Sequence, residues 1–227
     1  MSKYFVGKIV NRETTLCYYI YMNIKLIKSN IDTKPFLKEI EEFLKENSWD
    51  DFRRKQLWEH ENTLAIGLMY LQHFKVTASG KLEINKKSKE RIEISTLVNY
   101  KYFKNTLAFL FDFERSNSCT IKKASIVLLE PNKKVHPHID PEIILSDKGR
   151  YHICLKTQGS LINCEDESVT FSEGDMFWFN NKKIHSAENL GNEPRIHIIF
   201  DVTKNSPSML YRVIRFLFKK NVIPYIE

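Results

Sequence analysis

The chain has 227 residues, 42% hydrophobic and 28% charged, which suits one ordinary domain with a full core and a modest surplus. Gly and Pro are scarce at 7 each, which excludes a collagen-like or linker-rich protein. The net charge of +7 is spread over scattered pairs such as Lys86-Lys87, Lys122-Lys123 and Lys182-Lys183. That pattern is a solvated surface that attracts anions, so nucleic acid is not an expected partner. Cys17, Cys119, Cys154 and Cys164 form no CxxC pair. The apolar run Leu16 to Tyr21 falls far short of the roughly 20 residues a membrane span needs. A cytoplasmic protein with reduced thiols and no membrane contact is the expectation.

In chain order, residues 1–22 are expected to be an N-terminal appendage, because the first start signal follows Met22. Residues 23–30 alternate weakly and read as a strand. Asp32-Thr33 then cap a helix to about residue 47, with Phe36, Ile40, Phe43 and Leu44 on one face. Residues 63–70 read as a strand. Leu97, Tyr100, Phe103, Leu107 and Phe111 stand at helical spacing within 96–113 and are read as a buried helical face. Residues 23–118 are thus expected to form a helix-rich part packed on a barrel built by the later residues.

From residue 119 the texture changes. Short β-rich runs at 119–129, 150–157, 168–172, 175–179, 184–189 and 195–202 succeed one another. Turn signals separate them at Pro131-Asn132, Lys148-Gly149, Glu173-Gly174, Asn180-Asn181 and Gly191-Asn192. Short strands at this pace indicate a β-sandwich or barrel over 119–205. A closing helix is expected from Ser206 to Lys219, within a C-terminal segment 206–227.

Chemistry concentrates in the β-rich stretch. In Val135-His136-Pro137-His138-Ile139-Asp140, residues two apart on a strand share a side, so His138 and Asp140 project together. His185 opens a later strand just after a turn. Two imidazoles and one carboxylate on one face of a metal leave three positions open, the facial triad of non-heme Fe(II) oxygenases. Arg195 begins the strand Arg195 to Asp201, sharing a side with His197 and Ile199. A guanidinium inside a barrel is costly unless an anion meets it, and a carboxylate is its natural partner. A dicarboxylic cosubstrate, chelating the metal at one end and held by Arg195 at the other, accounts for both features. A second set, His136, His138, Glu142 and His185, fits the two general cupin motifs. It leaves Arg195 without a role, so the first set is preferred. A non-catalytic cupin that binds a small anion is a further alternative.

The segment 124–202 resembles the aspartyl/asparaginyl β-hydroxylase family of Fe(II)/2-oxoglutarate oxygenases, within the cupin superfamily. The matching residues are the Pro131 turn, Pro137-His138, Arg150-Tyr151-His152, Gly174 to Phe179, His185, and Arg195 through Asp201. The resemblance implies a mainly β fold with flanking helices, a double-stranded β-helix of the jelly-roll or cupin type. It implies Fe(II), 2-oxoglutarate as cosubstrate and O2. His138 and His185 are implied as iron ligands, and Arg150, His152 and Arg195 as contacts of 2-oxoglutarate. The expected reaction is hydroxylation of an Asp- or Asn-type side chain, in a peptide or protein or as a free amino acid. Two departures stand out. Asp140 completes a triad that the vertebrate members lack, and Val127 falls where those members use a Ser on 2-oxoglutarate. Trp49, Arg53, Arg54, Trp58 and His60 are candidates for the substrate side.

Overall fold

A computed structural model describes residues 22–76, 82–84, 92–140 and 149–203. The N-terminal appendage (except Met22), the Lys148 turn position, Glu142 and the closing helix lie outside those residues. The chain begins with β1 (Ile24–Lys28), α1 (Lys34–Leu44), α2 (Phe52–Gln56) and a 3-10 turn (Trp58–His60). Next come β2 (Thr63–Val76), β3 (Leu82–Ile84), β4 (Ile92–Leu97) and α3 (Lys104–Ser116). The β-rich stretch supplies β5 (Thr120–Leu129), β6 (Lys134–His138), β7 (Gly149–Lys156) and β8 (Ser160–Cys164). It ends with β9 (Glu167–Thr170), β10 (Met176–Phe179), β11 (His185–Asn189) and β12 (Arg195–Thr203).

The strands form two antiparallel sheets. The larger runs β1-β10-β7-β12-β5-β2-β3, with β4 also paired to β2, and the smaller runs β6-β11-β8-β9. This is the double-stranded β-helix expected of the chain. The larger sheet is covered on both faces. One face packs on α1 and α3 through Phe36, Ile40, Phe43, Phe103, Leu110, Ile153, Ile198 and Phe200. The other meets the small sheet through Leu129, Cys154, Ile162, Phe177, Phe179 and Ala187. Strands buried on both faces read as near-continuous apolar runs. That fits β10 and most of β7 and β12 in the larger sheet, whereas β8, β9 and β11 of the small sheet alternate in burial.

Two expectations need correction. The helix placed over 96–113 starts at Lys104, because Leu97 belongs to β4 opposite Met69 and Asn99 turns the chain at φ 54°. Phe103 and Leu107 are nonetheless buried, with Leu97, Tyr100 and Phe111 packed beside them. The stretch before residue 119 is also less helical than expected. It contributes β1, β2, β3 and β4 to the larger sheet, β2 alone spanning 14 residues. The strand at 160–164, in the middle of the small sheet, had no place among the expected runs. Its Ser160-Leu-Ile-Asn-Cys164 pattern is short, and two of its residues are polar.

The two helices are joined end to side by one carboxylate. Glu39 of α1 is 7% exposed, and it accepts hydrogen bonds from the backbone N of Asn105 (2.5 Å) and Thr106 (3.0 Å) and from Thr106 Oγ1 (2.7 Å). The first N–H groups of α3, which have no partner within the helix, are thereby satisfied by a neighbouring helix.

Candidate metal centre

The site lies between the sheets, at one end. β6 and β11 run antiparallel in the small sheet with His138 opposite His185, so both imidazoles project from one patch of its inner face. Their ring centroids are 4.3 Å apart. Asp140 stands two residues later, just past the end of β6, and its carboxylate is 6% exposed. One ligand atom from each of His138, Asp140 and His185 lies within 4.8 Å of the others.

The surroundings prepare these side chains to accept a cation. Nδ1 of His138 donates to the backbone oxygen of His136 (2.7 Å), and Nδ1 of His185 donates to that of Lys183 (2.9 Å). Protons fixed on Nδ1 leave the Nε2 lone pairs for a metal. Nε2 of His138 is buried and has no hydrogen-bond partner, a costly arrangement for a polar atom unless something binds it. Burial pushes the His185 pKa down to about 4 despite the opposing pull of Asp140, so the ring is neutral at physiological pH. Burial works to raise the Asp140 pKa. Arg150, His185, Asn181 and His138 outweigh it and hold the carboxyl below its ordinary value. The donor set therefore fits a divalent iron: two imidazoles with their Nδ1 atoms already engaged and one carboxylate, on one side.

The facing wall comes from the larger sheet. Arg150 and His152 alternate inward on β7, and Arg195, His197 and Asp201 do so on β12, the two strands being hydrogen-bonded neighbours with Arg150 opposite Asp201. Arg195 is 2% exposed. Its Nη1 donates to Ser160 Oγ (3.0 Å), its Nε is unsatisfied, and it has no carboxylate partner among the described residues. Burial lowers its pKa to about 10, which still leaves it charged. His152 turns a partnerless Nε2 toward the same cavity. Its Nδ1 is 3.3 Å from Nδ1 of His197, whose Nε2 is 3.0 Å from Cys154 Sγ. Burial keeps both rings neutral. Arg150 is already engaged: Nε and Nη2 donate to Asp201 (2.8 and 3.1 Å), and Nη1 lies 2.7 Å from Asp140 Oδ2.

Of the substrate-side candidates, Arg53 and His60 reach the cavity. The His60 ring sits edge-on to His138 at 4.7 Å, with Arg53 Nη2 3.3 to 3.4 Å from its two nitrogens. Arg53 has no carboxylate partner among the described residues. Arg54 pairs instead with Glu130 (2.6 Å), and Trp49 packs with the helical core. Trp58 is 64% exposed and packs against His136. His136 is turned outward, its Nε2 bonded to Glu61 (3.0 Å) in a separate surface groove. It does not join His138 and His185, as the four-ligand cupin set requires.

The aspartyl/asparaginyl β-hydroxylase family model matches residues 37–205. The chain belongs to this family. As a family member it is an Fe(II)- and 2-oxoglutarate-dependent oxygenase that uses O2. A search of the curated proteins finds no match. Among solved structures, an oxidoreductase of the 2OG-Fe(II) oxygenase family from Burkholderia pseudomallei superposes with a TM-score of 0.52 at 10% identity. That match covers 81% of this chain and 85% of the other. A prolyl hydroxylase from Trichoplax adhaerens, solved with a hypoxia inducible factor peptide, gives 0.47 at 10% identity, covering 80% and 84%. The viral collagen prolyl hydroxylase of Paramecium Bursaria Chlorella virus-1 gives 0.46 at 8%, covering 80% and 96%. In this hydroxylase-family chain, one site brings together His138, Asp140, His185, Arg150, His152 and Arg195.

Three neighbours of that site had no assigned role in the sequence: Asn181, Asp201 and Ser160. Asn181 reads from sequence only as part of a turn. Asp201 could have been found, since it continues the inward alternation of Arg195, His197 and Ile199. Ser160 carried no signal at all. It supplies a hydroxyl to Arg195 on the cavity where Val127 lines the wall.

Proposed function

We propose that this oxygenase hydroxylates an Asp- or Asn-type side chain, in a peptide or as a free amino acid, with iron held by His138, Asp140 and His185. Iron bound there, with 2-oxoglutarate and O2, supplies the oxidising power for an unactivated C–H bond. The chain's own residues bind and orient. Arg195 would hold the distal carboxylate of 2-oxoglutarate by a charge-assisted contact, with Ser160 fixing the guanidinium. His152 offers its free Nε2 to the same molecule. Val127, Ile162, Ala187 and Phe179 exclude water from the cavity. Arg53 carries a charge on the remaining wall that an acidic side chain of the substrate answers. The single observation that carries the reading is a buried, carboxylate-free Arg195 on the cavity that His138 and His185 also line.

The test is succinate formation by the purified chain supplied with Fe(II), 2-oxoglutarate and O2, then mass spectrometry for one added oxygen on Asp- and Asn-containing peptides. Succinate is expected from the wild type and not from Asp140→Ala. A folded, iron-loaded chain that yields no succinate would falsify the assignment.

A further inference from the structure

The Asp140 carboxylate is gripped from behind. Its Oδ2 accepts from Asn181 Nδ2 (2.8 Å) and lies 2.7 Å from Arg150 Nη1. Its Oδ1 is left on the other side, 3.8 Å from His138 Nε2. Neither partner is loose. Arg150 is forked onto Asp201, its cross-strand neighbour on β12, which is itself 2% exposed. Asn181 is 1% exposed, and its backbone oxygen accepts from the Asp140 N–H (3.3 Å).

We propose that Arg150, backed by Asp201 and joined by Asn181, is a positioning residue that makes Asp140 a one-oxygen ligand. The inference rests on the reading of His138, Asp140 and His185 as the iron ligands. Its logic is one of available places. Iron held by two imidazoles and one carboxylate oxygen would leave open positions for the cosubstrate and O2. A carboxylate swung round to bind through both oxygens would fill one of them. Holding Oδ2 with two donors prevents that swing. Outer partners of this kind commonly set both the affinity and the geometry of a metal site. The arrangement also gives Arg150 a task different from the cosubstrate contact that the resemblance implies. Three of its five N–H groups are spent on Asp140 and Asp201.

The test uses the full-length chain and Co(II) alone, without cosubstrate, comparing wild type with Arg150→Lys and Asn181→Ala. Lysine keeps the charge but cannot fork to two carboxylates. Asn181→Ala removes one donor and no charge, and both variants are first checked for native folding by circular dichroism. Both variants are expected to bind Co(II) about 10- to 100-fold more weakly. Their visible Co(II) absorption, which reports coordination number, should differ from that of the wild type. Unchanged Co(II) affinity and spectrum in both variants overturns the proposal. So does a second titration, of 2-oxoglutarate into the Co(II)-loaded chains, in which Arg150→Lys loses only the 2-oxoglutarate affinity. A wild type that binds no Co(II) instead removes the metal reading beneath it.

Discussion

Arg195 illustrates how function and stability oppose each other at one residue. A buried cation with one hydroxyl partner is a burden on the folded chain until an anion arrives. Arg195→Met keeps most of the volume and removes that burden. The metal-free variant should therefore be more stable in urea titrations, by on the order of 1 kcal/mol. Calorimetry on the metal-loaded variant should show 2-oxoglutarate binding weaker by about 2–5 kcal/mol, with the metal affinity unchanged. The same logic explains why Arg195 was legible in the sequence. A guanidinium among Ile, His and Phe on an inward-facing strand has few other purposes. His138 and Asp140 were legible because strand alternation places them together. Asn181 was not, because its role depends on where a turn between β10 and β11 falls in space, and nothing local encodes that.

Among the elements, α3 depends on a cap that sequence neighbours do not provide. Phe103 at its start makes no side-chain cap, and Glu39 of α1 takes over the task. Glu39→Ala should lower stability by about 1–3 kcal/mol, read as the denaturant midpoint, while Glu41→Ala on the exposed face should cost far less. The turn before β10 has a similar dependence. Gly174 sits at φ +83°, its oxygen accepts from Ile31 N (2.9 Å), and a Cβ there would lie 2.7 Å from the Ile31 oxygen. Gly174→Ala should destabilise by about 1–3 kcal/mol in thermal unfolding and loosen the link between β1 and α1 from the barrel. Elements with their own periodicity, such as α1 and β12, could be placed from sequence. The start of α3 could not, since Leu97 fits both a helical face and the strand that β2 recruits.

For the molecule as a whole, the buried histidines set a pH response. His60, His152, His185 and His197 all have folded pKa values below the ordinary 6.5, because burial disfavours their charged forms. Below pH 6.5 the unfolded chain binds protons that the folded chain refuses, so stability rises with pH and falls on acidification. For His185 the window runs from about 6.5 down to about 4. Each such group contributes at most about 1.4 kcal/mol per pH unit. The metal-free protein should lose at least ~2 kcal/mol between pH 6.5 and 5 in urea titrations. The layered architecture itself could be read from the succession of short β-rich runs. The contribution of β1 and β2 to the larger sheet could not, because strand pairing across so much intervening chain leaves no local mark. The cavity walls, finally, come from two separate parts of the chain. The proposed iron ligands and the anchor for 2-oxoglutarate lie between residues 138 and 195. Arg53 and His60 hang over them from a five-residue helix and the turn after it. If Arg53 meets the substrate as proposed, that short overhang can change the choice of target while the proposed ligands stay the same, provided His60 keeps its place against His138. Grafting residues 52–60 from another family member is then a compact route to an oxygenase with a new product.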